Sequence, residues 1–311
     1  AQKGGYEHFM LKEIFEQPTV IGQTLNVYYN AATGRVAMPA LPFKLADITH
    51  VTIVACGTSY YAGLVARYWL ESLARISVDI DVASEFRYRE PVMKKGGLTI
   101  VISQSGETAD TLAALRYAKS AGQHTLAIVN APESSMSHEA EATLYTHAGP
   151  EIGVASTKAF TTQLTVLACF ALALAEAHDT MDEAEMARLT HALAEVPARV
   201  SEVLHHSEAI EKLAAKIQHA TDMLFIGRGT SYAIAHEAAL KMKEISYIHA
   251  EAYAAGEMKH SPIALIDEAV PIIAITPHDK LFEKTASNIQ EAAARGGRIV
   301  VFSDAAGIAQ L

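Results

Sequence analysis

The sequence predicts an α/β protein made of two tandem, doubly wound parallel sheets with helices on both faces. Short apolar runs rich in β-branched residues alternate with helical stretches, and this alternation is typical of parallel strands that helices cover on both sides. In the first half of the chain these runs lie at residues 51–56, 78–82, 98–103, 124–129 and 143–147. The second half repeats the pattern, so the same architecture is expected twice.

The internal repeat has a constant offset. Gly57-Thr58-Ser59-Tyr60 follows one apolar strand, and its twin Gly229-Thr230-Ser231-Tyr232 follows another 172 residues later. We expect a linking helix and N-terminal segment over residues 1–25, a first domain over 26–190 and a second domain over 191–311. The offset maps the last residue of the sequence onto the middle of the first unit, so the second domain is expected to be incomplete at its C-terminus. The polar stretch 178–219 lacks glycine and is expected to be a helical connection.

Composition and charge restrict the classes of function. The chain has 311 residues and is 50% hydrophobic, and its net charge of −10 disfavours nonspecific binding to nucleic acid or anionic membranes. Cys56 and Cys169 are too few for a disulfide framework, which fits a reducing cytoplasm, and neither has the spaced partners of a metal site. The longest apolar run, Leu164 to Ala175, is too short to span a bilayer and is expected to be a buried core helix.

The segment Ser103-Gln104-Ser105-Gly106-Glu107-Thr108 lies between an apolar strand and a helix-like stretch. Free backbone N–H groups and the positive end of a helix dipole meet at such a junction, so it suits a phosphate group. Its hydroxyl residues add donors, and its glycine lets the backbone approach an anion. The alternative is an ordinary helix start capped by Ser105, with Glu107 in the first turn. The segment by itself leaves both interpretations open.

The second repeat unit has lost the hydroxyl loop, since Ile275-Thr276-Pro277-His278-Asp279-Lys280 stands at the corresponding positions. Lys241 and Glu244 are three residues apart, so they share one face of a helix and could transfer protons between adjacent carbons of a sugar. The alternative is a solvated salt bridge, but apolar residues surround the pair and favour an enclosed cleft. His260 lies in a turn-prone stretch, where a histidine is more often exposed than buried.

Several motifs in the sequence belong together: Cys56-Gly57-Thr58-Ser59-Tyr60, the segments 83–88, 103–111 and 151–163, and the run from Lys243 to His260. The most specific of them is the run from Glu244 to Tyr253. Together these motifs resemble the isomerase half of the glucosamine-6-phosphate synthases, which has two tandem sugar-isomerase (SIS) domains of the flavodoxin-like type. The similarity runs from about Tyr6 to Asp304.

The resemblance implies an enzyme of amino-sugar biosynthesis that binds fructose 6-phosphate, adds ammonia at its carbonyl carbon and isomerises the product to glucosamine 6-phosphate. It implies no metal and no organic cofactor. Glu244 would move the proton between C1 and C2, Lys241 would act on the C2 hydroxyl, and His260, supplied by the neighbouring subunit of a homodimer, would open the sugar ring. The residues implied to bind the substrate are Cys56, Gly57, Thr58, Ser59, Val154, Ala155 and Ser156, with Ser103, Gln104, Ser105 and Thr108 on the phosphate.

The sequence departs from the family pattern. The family's glutaminase domain is expected upstream, because this sequence begins just before the linking helix predicted at Tyr6 to Gln17. The family uses a lysine near its C-terminus to form a Schiff base with the sugar, and that lysine is not in this sequence. We therefore expect the chain to bind the sugar phosphate, whereas its isomerase activity would require that lysine. Ser261 replaces the glycine that usually follows the histidine. Two other functions stay open: a stand-alone phosphosugar isomerase or deglycase with two SIS domains, and a noncatalytic sugar-phosphate sensor.

Overall fold

The computed structural model describes residues 2–311, and Ala1 of the predicted N-terminal segment lies outside the described residues. The chain forms two compact units that divide between His205 and His206. The first unit consists of α1 (Phe9–Tyr28), β1 (Tyr29–Asn30), β2 (Arg35–Val36), β3 (His50–Ala55), α2 (Gly57–Trp69), β4 (Ser77–Val82), α3 (Ala83–Arg89), β5 (Gly97–Ser103), α4 (Ala109–Ser120), β6 (His124–Val129), α5 (Ser135–Glu139), β7 (Ala142–Tyr145), α6 (Lys158–Ala177) and α7 (Glu183–Leu204). The second consists of α8 (Ser207–Ile217), β8 (Asp222–Gly227), α9 (Thr230–Ser246), β9 (His249–Ala254), β10 (Pro271–Ile275), α10 (Phe282–Ala294), β11 (Arg298–Phe302) and α11 (Ala305–Ile308).

Helix α1 is longer than the predicted linking helix, because it continues past Gln17 and through Pro18 to Tyr28. A proline inside a helix removes one backbone donor and leaves the carbonyl one turn earlier without its usual partner. Here Gln17 Nε2 donates to the carbonyl oxygen of Ile14 at 2.9 Å and replaces the missing bond. The helix therefore passes the expected domain start at residue 26 before it ends.

The first unit contains a five-stranded sheet in the order β4-β3-β5-β6-β7, and every neighbouring pair of strands is parallel. The strand order reverses between β3 and β5, which is the doubly wound, flavodoxin-like arrangement. All residues of β3 and β5 are buried, as expected for strands that helices cover on both sides. The five strands predicted for this half of the chain are all present.

Helices cover both faces of this sheet. On one face Val54 and Val101 pack in a buried cluster with Phe86 of α3 and Leu115 of α4. On the other face the backbone of α2 comes so close that a Cβ added at Gly63 would lie 2.7 Å from Cγ2 of Ile53 on β3. Helix α6 packs against α2 and so forms an outer layer on that face.

Helix α6 contains the longest apolar run of the sequence and is a buried core helix, as predicted. It has 20 residues and begins at Lys158, before the apolar run from Leu164 to Ala175. Among the described residues it is the single helix long and apolar enough to cross a membrane, and 72% of that stretch is buried inside the protein. One buried helix of this kind is weak evidence for a membrane span, because core helices share its length and composition.

The second unit contains a four-stranded parallel sheet in the order β11-β10-β8-β9. Counted from β9, this order matches that of β4, β3, β5 and β6 in the first unit. The strands also keep the offset of the repeat, since β3 and β8 begin at His50 and Asp222 and β4 and β9 begin at Ser77 and His249. The two tandem, doubly wound sheets predicted from the sequence are confirmed.

The predicted domain boundary between residues 190 and 191 cuts through helix α7. Helix α7 packs against α1 and belongs to the first unit, which therefore extends to His205. The division falls in the short connection between the end of α7 at Leu204 and the start of α8 at Ser207. Both helices are polar on their outer faces, so the sequence pattern does not change at the division.

Candidate active site

A cleft of about 220 Å³ lies in the first unit, at the carboxyl ends of β3 and β5. These strands flank the reversal of the strand order, where ligands bind in doubly wound sheets. The cleft gathers most of the predicted substrate-binding residues, whereas Gly57, Val154 and Ala155 do not line it. The lining residues are Cys56, Thr58, Ser59, Ile102, Ser103, Gln104, Ser105, Thr108, Thr111 and Ser156.

Ser103 ends β5, and its buried hydroxyl organises the loop that follows. The N–H of Gly106 donates to Ser103 Oγ at 3.0 Å, and Ser103 Oγ lies 2.9 Å from Thr108 Oγ1. When Thr108 donates its own proton to an anion, Ser103 donates to Thr108, so the hydroxyl pair is oriented toward the ligand. The N–H of Glu107 donates to Ser105 Oγ at 3.2 Å, which leaves the Ser105 proton for a ligand.

Gly106 is required by both its backbone angle and its surroundings. Its φ is +68°, a conformation that favours glycine. A Cβ at this position would lie 2.1 Å from Oγ of Ser134. Ser134 is itself buried and caps α5, where its Oγ accepts the N–H of Ser137 at 3.4 Å. The loop therefore packs directly on the start of α5.

Helix α4 begins at Ala109 with Thr108 as its N-cap residue, and the Thr108 side chain does not cap it. The alternative in which Ser105 caps this helix is wrong, because the helix begins four residues later and Thr108 occupies the N-cap position. The Glu107 carboxylate accepts the N–H of Ser135 at 2.7 Å, and this bond lowers the pKa of the Glu107 carboxyl. The first-turn N–H groups of α4 remain for a ligand at the positive end of the helix.

Helix α2 begins at Gly57, which has a φ of +53°, directly after Cys56. Ser59 in its first turn is held by the buried Gln163 of α6, whose Nε2 lies 3.0 Å from Ser59 Oγ. Cys56 Sγ lies 3.9 Å from Oγ1 of Thr111 on α4. The cleft is therefore bounded by the starts of two helices, both of which present a partial positive charge.

Glu151 organises the loop that brings Ser156 to the cleft. Its Oε2 accepts the hydroxyl proton of Ser156 at 3.0 Å. Its Oε1 accepts the backbone N–H groups of Thr157 at 2.8 Å and Ala159 at 3.1 Å, so the same carboxylate also caps the start of α6. The position of Ser156 is thus tied to the start of a buried helix.

Helix α1 holds the outer part of the same loop. Glu13 of this helix is only 2% exposed, and it accepts the N–H of Ile152 at 2.5 Å. At the tip of the loop the side chain of Val154 is 94% exposed, whereas Ala155 is buried away from the cleft lining. Of the three neighbouring residues predicted to bind the sugar, only Ser156 lines the cleft with its side chain.

Lys241 of α9 lies between two carboxylates of the same helix. Its Nζ is 2.6 Å from Oε2 of Glu244 and 3.4 Å from Oε1 of Glu237. The predicted Lys241–Glu244 pair is therefore formed. Within the second unit, however, the pair is not enclosed, since the Glu244 side chain is 38% exposed on the last turn of α9.

The apolar neighbours of this pair face a separate groove. This groove of about 650 Å³ lies among α8, α9 and the second sheet, and Met242 and Ile245 line it together with Lys241. The apolar residues around the pair predicted an enclosed cleft. They line this groove instead, with Lys241 at its edge, whereas Glu244 is not in the lining.

His260 is exposed and ends a short 3₁₀ segment, Ala255–His260. It lines a cavity of about 550 Å³ together with Tyr253 and Glu257. The next residue, Ser261, has a φ of +121°, in the region that favours glycine. The backbone conformation therefore explains the glycine that the family pattern implies at this position, and the serine found here is strained.

Neutral donors and helix starts, rather than cationic side chains, line the cleft of the first unit. Within residues 2–311 the structure brings no three His, Cys, Asp or Glu side chains into a group that could hold a metal ion. Both cysteines are free thiols, and burial raises the pKa of Cys169 to about 12. Cys56 is half-buried at the cleft.

Three residues that support the cleft were not predicted as site residues: Glu13, Glu151 and Gln163, although Glu151 and Gln163 begin and end the motif 151–163. Glu13 and Gln163 act on partners 139 and 104 residues away, and such distances leave no local motif. The available signal is a carboxylate or an amide among the buried positions of a helix, since such groups are usually hydrogen-bonded. A buried carboxylate or amide therefore indicates that a hydrogen-bond partner exists, but the sequence does not identify that partner.

The SIS domain family matches residues 44–173 and 216–308, one segment in each structural unit. The two segments cover more than half of the chain. The chain belongs to the SIS-domain family.

This tandem SIS chain is also similar to a solved structure, the C-terminal domain of glucosamine-fructose-6-phosphate aminotransferase from Francisella tularensis. The two share 44% identity and a TM-score of 0.97, over 100% of this chain and 88% of that one. The SIS chain is 59% identical over 307 residues to glutamine–fructose-6-phosphate aminotransferase (isomerizing) of Zymomonas mobilis, and 58% identical over 306 residues to that of Bradyrhizobium diazoefficiens. These alignments cover 99% and 98% of this chain but 51% and 50% of those proteins, so the chain spans about half the length of the curated relatives it matches. The resemblance stated from the motifs is confirmed.

Proposed function

We propose that this SIS chain binds fructose 6-phosphate in the cleft of its first unit and supplies the isomerase part of a glutamine–fructose-6-phosphate aminotransferase. The observation that carries the proposal is the donor-lined cleft at the carboxyl ends of β3 and β5. The names of the relatives support this substrate over other sugar phosphates. They also favour this enzyme over a stand-alone isomerase or a sensor.

The phosphate group of the substrate matches the donors of the loop after β5. A phosphate monoester carries a charge of roughly −1.5 to −2 at pH 7, and its oxygens accept hydrogen bonds. Ser105 and Thr108 each have a hydroxyl proton to donate, and the uncapped start of α4 adds backbone N–H groups. Charge-assisted bonds of this kind hold an anion locally although the chain has a net charge of −10.

The isomerisation needs a base that moves a proton between C1 and C2 of the open-chain sugar. We assign this role to Glu244, with Lys241 acting on the C2 hydroxyl and His260 opening the ring, as the family pattern implies. The contact of 2.6 Å between Lys241 and Glu244 supports the assignment, because it places the proposed base directly beside the group proposed to act on the C2 hydroxyl. The exposed position of His260 suits a histidine that serves the site of a neighbouring subunit.

The remaining properties of the whole enzyme are part of the same proposal. Ammonia for the reaction comes from glutamine through a glutaminase domain upstream of the SIS domains. The enzyme acts in the cytoplasm as a homodimer in which His260 crosses between subunits. Sedimentation equilibrium of this chain measures the dimer directly, and a monomer at micromolar concentration argues against the shared histidine.

Removing either donor of the loop tests the binding site. We expect Ser105→Ala and Thr108→Ala each to weaken fructose 6-phosphate binding about tenfold, because each loses one hydrogen bond to a charged oxygen. Isothermal titration calorimetry of the purified chain measures the change in Kd.

Ser120→Ala is the matched control, since Ser120 lies at the far end of α4 and its hydroxyl donates to the carbonyl oxygen of Tyr117. Its Kd should equal that of the wild type. If Ser105→Ala and Thr108→Ala also leave the Kd unchanged, the phosphate does not bind at this loop and the proposal fails.

A further inference from the structure

The hydroxyl of Ser156 differs from the other hydroxyls of the cleft in the direction of its hydrogen bond. Ser156 Oγ lies 3.0 Å from Oε2 of Glu151, and a carboxylate oxygen can only accept. The Ser156 proton is therefore committed to Glu151. What Ser156 presents to a ligand is the lone pairs of its oxygen, so it acts there as an acceptor.

Two other hydroxyls in the lining of the cleft have the opposite polarity. Ser105 Oγ accepts the N–H of Glu107 at 3.2 Å, and Ser59 Oγ accepts from Gln163 Nε2 at 3.0 Å. Because their oxygens already accept, their protons are available to a ligand. We call Ser59 and Ser105 the donor side of the cleft and Ser156 its acceptor side, after the role that each hydroxyl has toward a ligand.

We propose that Glu151 is a positioning residue that determines specificity, because it fixes Ser156 as a hydrogen-bond acceptor for a hydroxyl group of the sugar. A phosphate oxygen at Ser156 would face lone pairs and be repelled, whereas a sugar hydroxyl can donate a proton there. The two sides therefore fix which end of a sugar phosphate enters where. This inference rests on the proposed function, since it takes the ligand of the cleft to be a sugar phosphate.

The loop that carries Glu151 and Ser156 is held so that this polarity is maintained. Glu13 of α1 accepts the N–H groups of Ile152 at 2.5 Å and Gly153 at 3.0 Å. A Cβ at Gly153 would lie 2.5 Å from Glu13 Oε2, so the backbone fits closely against this carboxylate. Glu13 is 2% exposed, and a buried carboxylate is stable only with such donors. The loop is fixed from α1 on one side and from α6 on the other.

Glu151→Gln tests the proposal because it preserves the size of the side chain and reverses one bond. The amide oxygen should stay with the two backbone donors, Thr157 and Ala159, which the Oε1 atom of Glu151 now accepts. The amide nitrogen then faces Ser156 and donates to its oxygen. The Ser156 proton turns toward the ligand, and the acceptor side of the cleft becomes a donor side.

Calorimetric titrations with fructose 6-phosphate and with inorganic phosphate separate the two sides. We expect Glu151→Gln to raise the Kd for fructose 6-phosphate about tenfold and to leave the Kd for inorganic phosphate unchanged. Glu202→Gln, at an exposed ion pair of α7 with Arg199, is the matched control and should change neither Kd. If the Glu151 side chain only stabilised the loop, the Glu151→Gln variant would bind both ligands more weakly, and that result overturns the proposal. An unchanged Kd for fructose 6-phosphate also overturns it.

Ser156→Ala gives a second test that does not depend on the folding of the Glu151 variant. It removes the acceptor, so it should weaken fructose 6-phosphate binding and spare inorganic phosphate. Combined with Glu151→Gln it should add little, because both changes act on the same bond. Independent, additive losses, or a Ser156→Ala variant with wild-type affinity, overturn the role of Glu151. If the wild-type protein binds fructose 6-phosphate but not inorganic phosphate, the proposed phosphate-binding role of the loop after β5 is wrong instead.

Discussion

The donor or acceptor role of each hydroxyl group determines which ligand groups the cleft of the first unit can accept. Ser105, Thr108 and Ser156 have the same chemical group, yet their neighbours make two of them donors to the ligand and the third an acceptor. Backbone geometry at one position is equally decisive. Gly106 has a positive φ and lies against Ser134, so the hydroxyl loop can close only because this residue has no side chain.

Gly106→Ala is predicted to lower the free energy of unfolding by about 3 kcal/mol, from the left-handed backbone and the contact with Ser134 together. Fructose 6-phosphate binding should weaken as well, since the N–H of Gly106 that donates to Ser103 must move. Urea unfolding and calorimetry measure the two effects.

Gly122→Ala separates the two causes. Gly122 has a φ of +74° and no atom within 4 Å of an added Cβ, so only the backbone strain applies. Its loss should be about 1 kcal/mol with no change in binding. Equal losses for the two variants would show that the contact with Ser134 has no energetic weight.

The starts and ends of elements, rather than their interiors, form the cleft of the first unit. The starts of α2 and α4 border the cleft, and Glu151 joins the start of α6 to Ser156. In the second unit, His260 ends a 3₁₀ segment. The connection that follows it is strained, because Ser261 has a φ of +121°.

Ser261→Gly is predicted to raise the free energy of unfolding by about 1 kcal/mol, since relief of strain exceeds the entropy that glycine adds to the unfolded chain. Thermal unfolding should show a melting temperature about 2–4 °C higher.

Ser287→Gly, at an exposed interior position of α10, is the contrasting control for the second unit. Glycine in a helix interior lowers stability by about 0.5–1 kcal/mol, so this variant should melt earlier. A Ser261→Gly variant that is also destabilised would mean that the serine side chain contributes more than its backbone strain costs.

At the scale of the whole molecule, the repeat has produced two units that share a sheet architecture but differ in the residues at their strand ends. The donor-lined cleft, its supporting carboxylates and Gln163 all belong to the first unit, which extends to His205. The second unit keeps the strand order but has Ile275 to Lys280 at the positions of the hydroxyl loop, and it carries the Lys241–Glu244 pair on α9. Sheet architecture was retained in both copies while the residues at the strand ends diverged.

We predict that residues 2–205 alone fold and bind inorganic phosphate with the affinity of the whole chain, because their core and cleft are complete within the first unit. Cooperative thermal unfolding and calorimetry test this expectation. A fragment ending at residue 190, the boundary expected from sequence, lacks the end of α7 and should be less stable. Equal stability of the two fragments, or loss of phosphate binding from the longer one, would contradict the prediction.

The sequence predicted the strands and the residues of the loop that lines the cleft, because both have local signals. Buried parallel strands appear as short apolar runs, and the loop after β5 combines hydroxyls, a glycine and a helix start within a few residues. Helix ends were less well predicted. The helix predicted to end at Gln17 continues through Pro18, since a side chain replaces the missing backbone bond, and the domain division lies between two helices of similar polarity.

The sequence by itself determined the fold class, the internal repeat, the position of the hydroxyl-rich loop after β5 and the family, because apolar periodicity and short motifs are local properties of the chain. Only the tertiary structure decided which predicted residues meet. It placed Ser156 in the cleft, left Val154 exposed, and brought Glu13 and Gln163 to partners far away in the chain. Gln163 sets the direction of the hydrogen bond at Ser59, and Glu13 holds the loop that carries Ser156, so these parts of the cleft are assembled only in the folded protein.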